Sequence, residues 1–335
     1  MNKKQMLLGS LLCLLAVTAW GFMFSVMANA LQFIDPFFFS LIRYGSVAII
    51  FLILLLMTEG TQSFRLEKKT LSLLFYGTVG FAGYGFLVFY GQQLAGPSGA
   101  IHAAMIQSLM PLIALLLQWI TKNKRPQNYT FLCMFVALIG VMLVISKGNI
   151  HLLFGAASHL STNILMLCGV TCWVIYTNGG ASFQSWSPLR YTTLTCLFGS
   201  ISLIVIVTFL TYTNVVTVPS LSTIMNVRFE LLYMSIIAGV IAVFCWNAGN
   251  RYISSINGIL FMNLVPVLAL IGSIFRGYTV DKIEIVGASL TIIALLCNNL
   301  WQRKESTKIP TSRSLGGDFL HMNSSWPFIV HIRYT

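Results

Sequence analysis

Charge is what this sequence lacks most: 8% of its 335 residues are Asp, Glu, Lys or Arg, while 57% are hydrophobic. Soluble domains carry roughly 25% charged residues, so an ordinary soluble domain is excluded. Also missing are segments of about ten residues alternating apolar and polar side chains, the mark of a transmembrane barrel. No phosphate-binding loop and no GxSxG is found, so the chain reads as a non-enzyme that needs no cofactor. A metal site is not expected either. Cys168 and Cys172 stand one helical turn apart, but no His or carboxylate adjoins them, and all seven cysteines lie in apolar runs as small buried side chains. The formal charge of +12 does not point to nucleic acid, because Lys and Arg fall mostly in short clusters between apolar runs.

What is present is a series of apolar runs near 20 residues, each long enough to cross a bilayer. Ten candidate spans result, at roughly 6–28, 36–57, 71–94, 98–120, 128–146, 162–181, 188–210, 230–250, 256–275 and 283–301. With the N-terminus inside, the inner segments hold twelve basic residues: Lys3, Lys4, Arg65, Lys68, Lys69, Lys122, Lys124, Arg125, Arg190, Arg251, Arg303 and Lys304. The outer loops hold four: Lys147, Arg228, Arg276 and Lys282. The positive-inside rule then puts both termini in the cytoplasm of a multi-pass protein of the cell inner membrane or plasma membrane. Lys3, Lys4 and Ala28-Asn29-Ala30 resemble the ends of a cleavable signal peptide, but the apolar stretch Met6–Met27 is 22 residues, beyond the roughly 7–15 of a signal h-region. Residues 306–335 carry no period and read as a disordered cytoplasmic tail.

The chain is written twice. Val17-Thr18-Ala19-Trp20 returns as Val170-Thr171-Cys172-Trp173, with the two tryptophans 153 residues apart. Pro36 and Pro188, opening the second and seventh spans, are 152 apart; Pro111 and Pro266, within the fourth and ninth, are 155 apart. Five spans per copy is an odd number, so the second copy must enter from the opposite side. The expected fold is an all-α polytopic membrane protein: ten transmembrane helices as two inverted five-helix repeats, 1–148 and 158–303. Such a symmetry suits alternating access, since each half can adopt the other's conformation about a central site.

Here the residues resemble the drug/metabolite transporter superfamily, in its ten-span EamA branch. The resemblance rests on the mid-span tryptophans, Pro36 followed by Ile42-Arg43-Tyr44-Gly45, and the runs GPSGAIHAAMIQSLMP (96–111) and YISSINGILFMNLVP (252–266); it covers residues 6–301. It implies a secondary carrier, usually an exporter of amino acids or other small metabolites, with its cavity between the halves. Two features depart from the pattern: the second half offers only Thr195 where the first has Arg43, and the tail has no counterpart.

Several residues are candidates for substrate contact. Arg43 lies about 10 Å into its helix at 1.5 Å per residue, where a charge needs a partner or water. It would hold a substrate carboxylate by bidentate hydrogen bonds, or cap helix carbonyls and tie the halves together. His102 is a candidate proton shuttle or a satisfied core residue. Trp20, Trp173 and Trp246, with Tyr84, Tyr90 and Tyr176, would line an aromatic cavity if they face inward, and otherwise simply pack. Gln107, Asn247 and Asn263 are amides within spans, so they face the bundle or water. Pro111 and Pro266 are expected helix kinks, each leaving the carbonyl four residues earlier without its donor. Gly77, Gly80 and Gly83 are read as positions for packing and hinging.

The function expected is export of a small organic solute through the lipid bilayer by alternating access, with no nucleic-acid partner and a homodimer left open. A channel would need a continuous polar line, which the ten spans do not display. A scaffold or sensor without transport would make Arg43→Ala a folding defect alone.

Overall fold

In a computed structural model the described residues are 3–96, 99–122, 127–146, 148–149, 160–274 and 279–306, and helices account for nearly all of them. Three long helices come first: α1 (Lys4–Ala30), α2 (Pro36–Glu59) and α3 (Thr70–Leu94). Two half-length helices follow, α4 (Gly99–Gln107) and α5 (Met110–Lys122), and then α6 (Asn128–Ser146). The second series opens with α7 (Ser161–Phe183) and α8 (Pro188–Tyr212). It continues with the short α9 (Leu221–Asn226) and the long α10 (Arg228–Ile253). It closes with α11 (Ser255–Ile259), α12 (Leu264–Ile274) and α13 (Lys282–Ser306). Among the described residues, six helices (α1, α2, α3, α7, α8 and α10) are long and apolar enough to cross a membrane, and shorter apolar helices accompany them. The expected tail beyond residue 306 lies outside the described residues, as do Lys124, Arg125, Lys147 and Arg276.

The repeated sequence landmarks do repeated structural work. Pro36 and Pro188 each occupy the first turn of a helix, where a missing N–H is not needed and φ is already set. The preceding residue caps each: Asp35 Oδ1 accepts from the Phe37 and Phe38 N–H groups at 2.7 and 3.3 Å, and Ser187 Oγ from the Arg190 N–H at 2.9 Å. Pro111 and Pro266 behave likewise. The expected fourth span is broken at Ser108–Leu109 and the ninth at a 3₁₀ turn, Leu260–Asn263. Each proline sits in the first turn of the helix that follows, so it opens a helix where the sequence led us to expect a kink.

A third pair of matching features was not foreseen. Residues Thr78–Gly83 of α3 and Tyr233–Ile241 of α10 are wound as π-helix, and their first residues are 155 apart. Such wide turns leave backbone groups open to side chains of neighbouring helices and recur at functional sites.

Helix directions follow from the contacts. Late in α1 and α3, Gln92 Nε2 donates to the Phe24 carbonyl (2.9 Å) and Gln93 Nε2 to that of Leu31 (3.3 Å), so these two run parallel. Helix α7 runs against α3: Gly91 meets Met166, Gly83 meets Cys172, Gly80 meets Tyr176 and Gly179 meets Tyr76. Helix α10 runs against α1 in the same manner, with Gly249 against Gly9 and Cys13, and Tyr233 donating to the Ala19 carbonyl. Helix α8 runs against α2 through Ser187–Glu59 (2.5 Å), Thr193–Phe51 (3.3 Å) and Ser200–Tyr44 (3.0 Å). Helix α13 runs against α6, with Thr291 bonded to the Ala137 carbonyl (3.4 Å) and Trp301 stacked on Tyr129 at 5.2 Å. Small residues allow these approaches. At the α3–α8 crossing a Cβ on Gly199 would lie 2.6 Å from the Gly77 carbonyl oxygen.

Candidate functional site

Helices α1, α2, α3, α7 and α10 converge on an aromatic cluster at the middle of the bundle. Trp20 meets Trp173 edge-on at 5.4 Å between ring centroids and Trp246 at 5.3 Å. Tyr84 and Tyr176 pack on Trp173 at 5.3 and 5.1 Å. The cluster encloses a small void, with space on the scale of one water molecule. Its walls are Trp20, Tyr84 and Trp173, the cation Arg43 with Tyr44, the amide Gln107, and the apolar side chains Met23, Met110, Val243 and Met262.

Arg43 is 1% exposed. Its Nε donates to the Met234 carbonyl, in the π turn of α10, at 2.9 Å. Its guanidinium lies 4.6 Å from the Tyr44 ring centroid and 5.7 Å from that of Phe89, and Nη1 has no partner. Arg43 forms no ion pair with a carboxylate of the described residues; the pair at Arg190–Glu67 lies elsewhere, at one end of the bundle. The two readings of this residue are thus not exclusive: one nitrogen ties α2 to α10, and another is buried without a partner in a residue that lines the void.

The tryptophans differ in the same way. Trp20 Nε1 donates to the Ala238 carbonyl, also in the π turn of α10, at 2.9 Å. Trp246 Nε1 donates to Thr177 Oγ1 at 3.1 Å. Trp173 Nε1 is buried and has no partner. Beside them, the Tyr84 hydroxyl donates to Gln107 Oε1 at 2.8 Å, while Gln107 Nε2 reaches only the Met262 sulfur at 4.0 Å.

The remaining candidates are scattered. Tyr176 and Trp246 form a second layer behind the void's walls. Tyr90 lies off the void, against Phe37 at 5.4 Å. His102 is buried in α4 and does not line the void. Asn263 is buried in the 3₁₀ turn, with neither its Oδ1 nor its Nδ2 partnered. Asn247 Nδ2 bonds the Tyr176 hydroxyl (2.6 Å) and Thr192 Oγ1 (2.8 Å). Thr195, at the repeat position of Arg43, bonds the Tyr191 carbonyl of its own helix at 2.6 Å. Met23, Met110, Val243 and Met262 went unrecognised, since nothing in the sequence separates an apolar wall from apolar core.

Behind Tyr176 and Asn247 opens a polar vestibule of about 430 Å³, lined among others by Gln118, Gln184, Tyr191, Asn250, Arg251 and Asn257. It lies toward the end of the bundle where Gly9 packs on Tyr252 and Ile253. Arg251 holds its rim by donating to the carbonyls of Phe183 (3.2 Å), Trp186 (2.9 Å) and Gln184.

At the same end Glu67 accepts from Trp186 Nε1 and from Arg190 Nη2, both at 2.8 Å, joining the two halves. Those hydrogen bonds, the indole's first, hold the Glu67 carboxyl below its ordinary value of 4.5. A depressed carboxylate contributes stability above its unfolded value, and that contribution is lost as pH falls through the folded one. Glu67→Gln should therefore melt slightly below wild type at neutral pH, and the gap should close when melting is repeated below the depressed value. The effect is small, because the pair is open to solvent.

The comparisons with known proteins agree with this architecture. The EamA-like transporter family matches residues 7–146 and again 160–300. The uncharacterized transporter YrdR of Bacillus subtilis (strain 168) is 43% identical over 308 residues, covering 92% of this chain and 96% of the relative. The uncharacterized transporter YyaM of the same organism is 32% identical over 256 residues, covering 76% and 81%. A solved crystal structure, 16% identical, shares the fold with a TM-score of 0.68 over 88% of this chain and 98% of that one. With two matched segments filling nearly the whole chain, and a small solute rather than a reaction as its business, the protein is a multi-pass membrane transporter that belongs to the EamA-like family.

Proposed function

We propose that the protein is a secondary carrier that exports amino acids or related small metabolites by alternating access. It is built from ten transmembrane helices as two inverted repeats, 1–148 and 158–303. The observation that carries the reading is the exchange of partners between halves: α1 packs against α10 as α7 packs against α3, each pair antiparallel. Because α1 and α3 run parallel, α1 and α7 run oppositely, as inverted copies must. The basic residues of the loops support cytoplasmic termini in a bacterial cell membrane. On that orientation the vestibule opens to the cytoplasm, and the aromatic cluster with the Tyr176–Asn247 hydrogen bond closes the path to the far side.

Efflux of radiolabelled amino acids and related metabolites from proteoliposomes tests the proposal. Saturable, counterflow-capable efflux is expected. Unsaturating currents of channel size would sink the carrier mechanism, and movement of no such solute would remove the substrate class.

A further inference from the structure

We infer that the central void is an anion site for a monocarboxylate that lacks an α-amino group, clasped between Arg43 of the first half and Trp173 of the second. The inference rests on the carrier reading and narrows its substrate class to the related metabolites, away from the amino acids themselves. Its basis is an excess of unused donors. Arg43 and Trp173 both border the void and are 1% and 4% exposed, and Nη1 of the one and Nε1 of the other have no partner. Gln107 Nε2 adds a third donor with only a sulfur at 4.0 Å. The neighbouring acceptors are engaged: Gln107 Oε1 by Tyr84, the Met234 carbonyl by Arg43, and the Ala238 carbonyl by Trp20. One permanent cation with two or three N–H groups and no anion is complementary to a carboxylate, whose two oxygens take what the protein leaves unsatisfied.

The same inventory disfavours a zwitterion. An α-ammonium would bring a second positive charge beside Arg43, with three N–H groups to satisfy. None of the residues bordering the void is acidic, and Asp35, Glu59 and Glu230 sit at or near helix ends. Tryptophan and tyrosine faces with three methionine side chains instead suit an apolar or aromatic body. Room for that body comes from Met23, Met110 and Met262, the flexible apolar side chains of the wall.

The repeat explains why Trp173 is available. Trp20 gives its indole N–H to Ala238. The corresponding carbonyl for Trp173 is that of Gly83, 155 residues before Ala238 in the matching π turn, yet the Trp173 indole makes no such bond. The first tryptophan is a strut between the halves, and the second is left to a ligand.

Calorimetric titration of the purified full chain with 3-phenylpropanoate, phenylalanine and phenethylamine tests this, together with Trp173→Phe, which keeps an aromatic ring and removes the N–H with the outer part of the indole. The expected result is 3-phenylpropanoate binding at least about tenfold tighter than phenylalanine, no binding of phenethylamine, and about tenfold weaker 3-phenylpropanoate binding in Trp173→Phe. Phenylalanine binding as tightly as its deaminated analogue, binding of neither, or an unaffected Trp173→Phe overturns the inference. Proteoliposome efflux of an amino acid alongside any of those outcomes would leave the proposed function standing while this site assignment falls.

Discussion

Replacing Arg43 by methionine should give a protein that folds at least as well as wild type and no longer carries solute. The stability side rests on two opposed terms. The substitution removes a charged hydrogen bond to the Met234 carbonyl, a loss of about 1.5–3 kcal/mol. It also removes a buried guanidinium that pairs with no carboxylate of the described residues, and burying an uncompensated charge costs several kcal/mol even after relaxation. The second term is the larger, so stability should be unchanged or rise by up to about 2 kcal/mol. The transport side has no such offset. Taking away one member of a buried charge–carboxylate contact costs about 2–5 kcal/mol of binding, which corresponds to a loss of affinity of roughly 30-fold to several thousand-fold. Melting in detergent and efflux from proteoliposomes, measured on one preparation, check both halves. An early-melting variant that still transports at the wild-type rate per folded molecule would make Arg43 a strut and nothing more.

Gly77→Ala should be among the most damaging single-methyl additions in the chain. The new Cβ would strike the Thr195 carbonyl and lie 2.8 Å from the Gly199 nitrogen. Both are helix backbone, so neither can turn aside as a flexible side chain would. Helices α3 and α8 would have to separate, and overpacking of this kind costs about 1–3 kcal/mol or more. Gly45→Ala is the matched control. Nothing lies within 4 Å of its added Cβ, and alanine is the better helix former by about 0.5–1 kcal/mol. The two variants should thus shift the melting temperature in opposite directions. Equal behaviour of the pair would mean that the α3–α8 crossing is looser than described.

How far the sequence could be read depended on whether a feature was marked by something other than apolarity. Spans and repeats are marked by runs of apolar residues, by proline and by recurrence at a fixed offset. Arg43, Gln107 and the paired tryptophans stand out because they are rare or polar inside apolar runs. Facing is different. In a soluble helix, polar and apolar stripes reveal the buried side, but lipid is as apolar as a protein core, and that stripe is lost. Tyr84 and Tyr90 therefore look alike in sequence, although Tyr84 borders the void and Tyr90 lies against Phe37. Met110 and Met262 are invisible for the same reason. The π turns were hidden behind glycines that read as packing and hinge positions: Gly80 and Gly83 allow the close approach of Tyr176 and Cys172 and also lie within the widened turn.

In the proposed site, a guanidinium without a counter-ion inside a bilayer would also respond to the membrane potential. One elementary charge crossing the full membrane potential exchanges about 2.3 kcal/mol per 100 mV. Arg43 carries that charge when the site is empty, whereas a bound monoanion cancels it. The electric field would then act on the return of the vacant carrier and leave the loaded step nearly untouched. The membrane potential would thereby set how often the site is presented to each side.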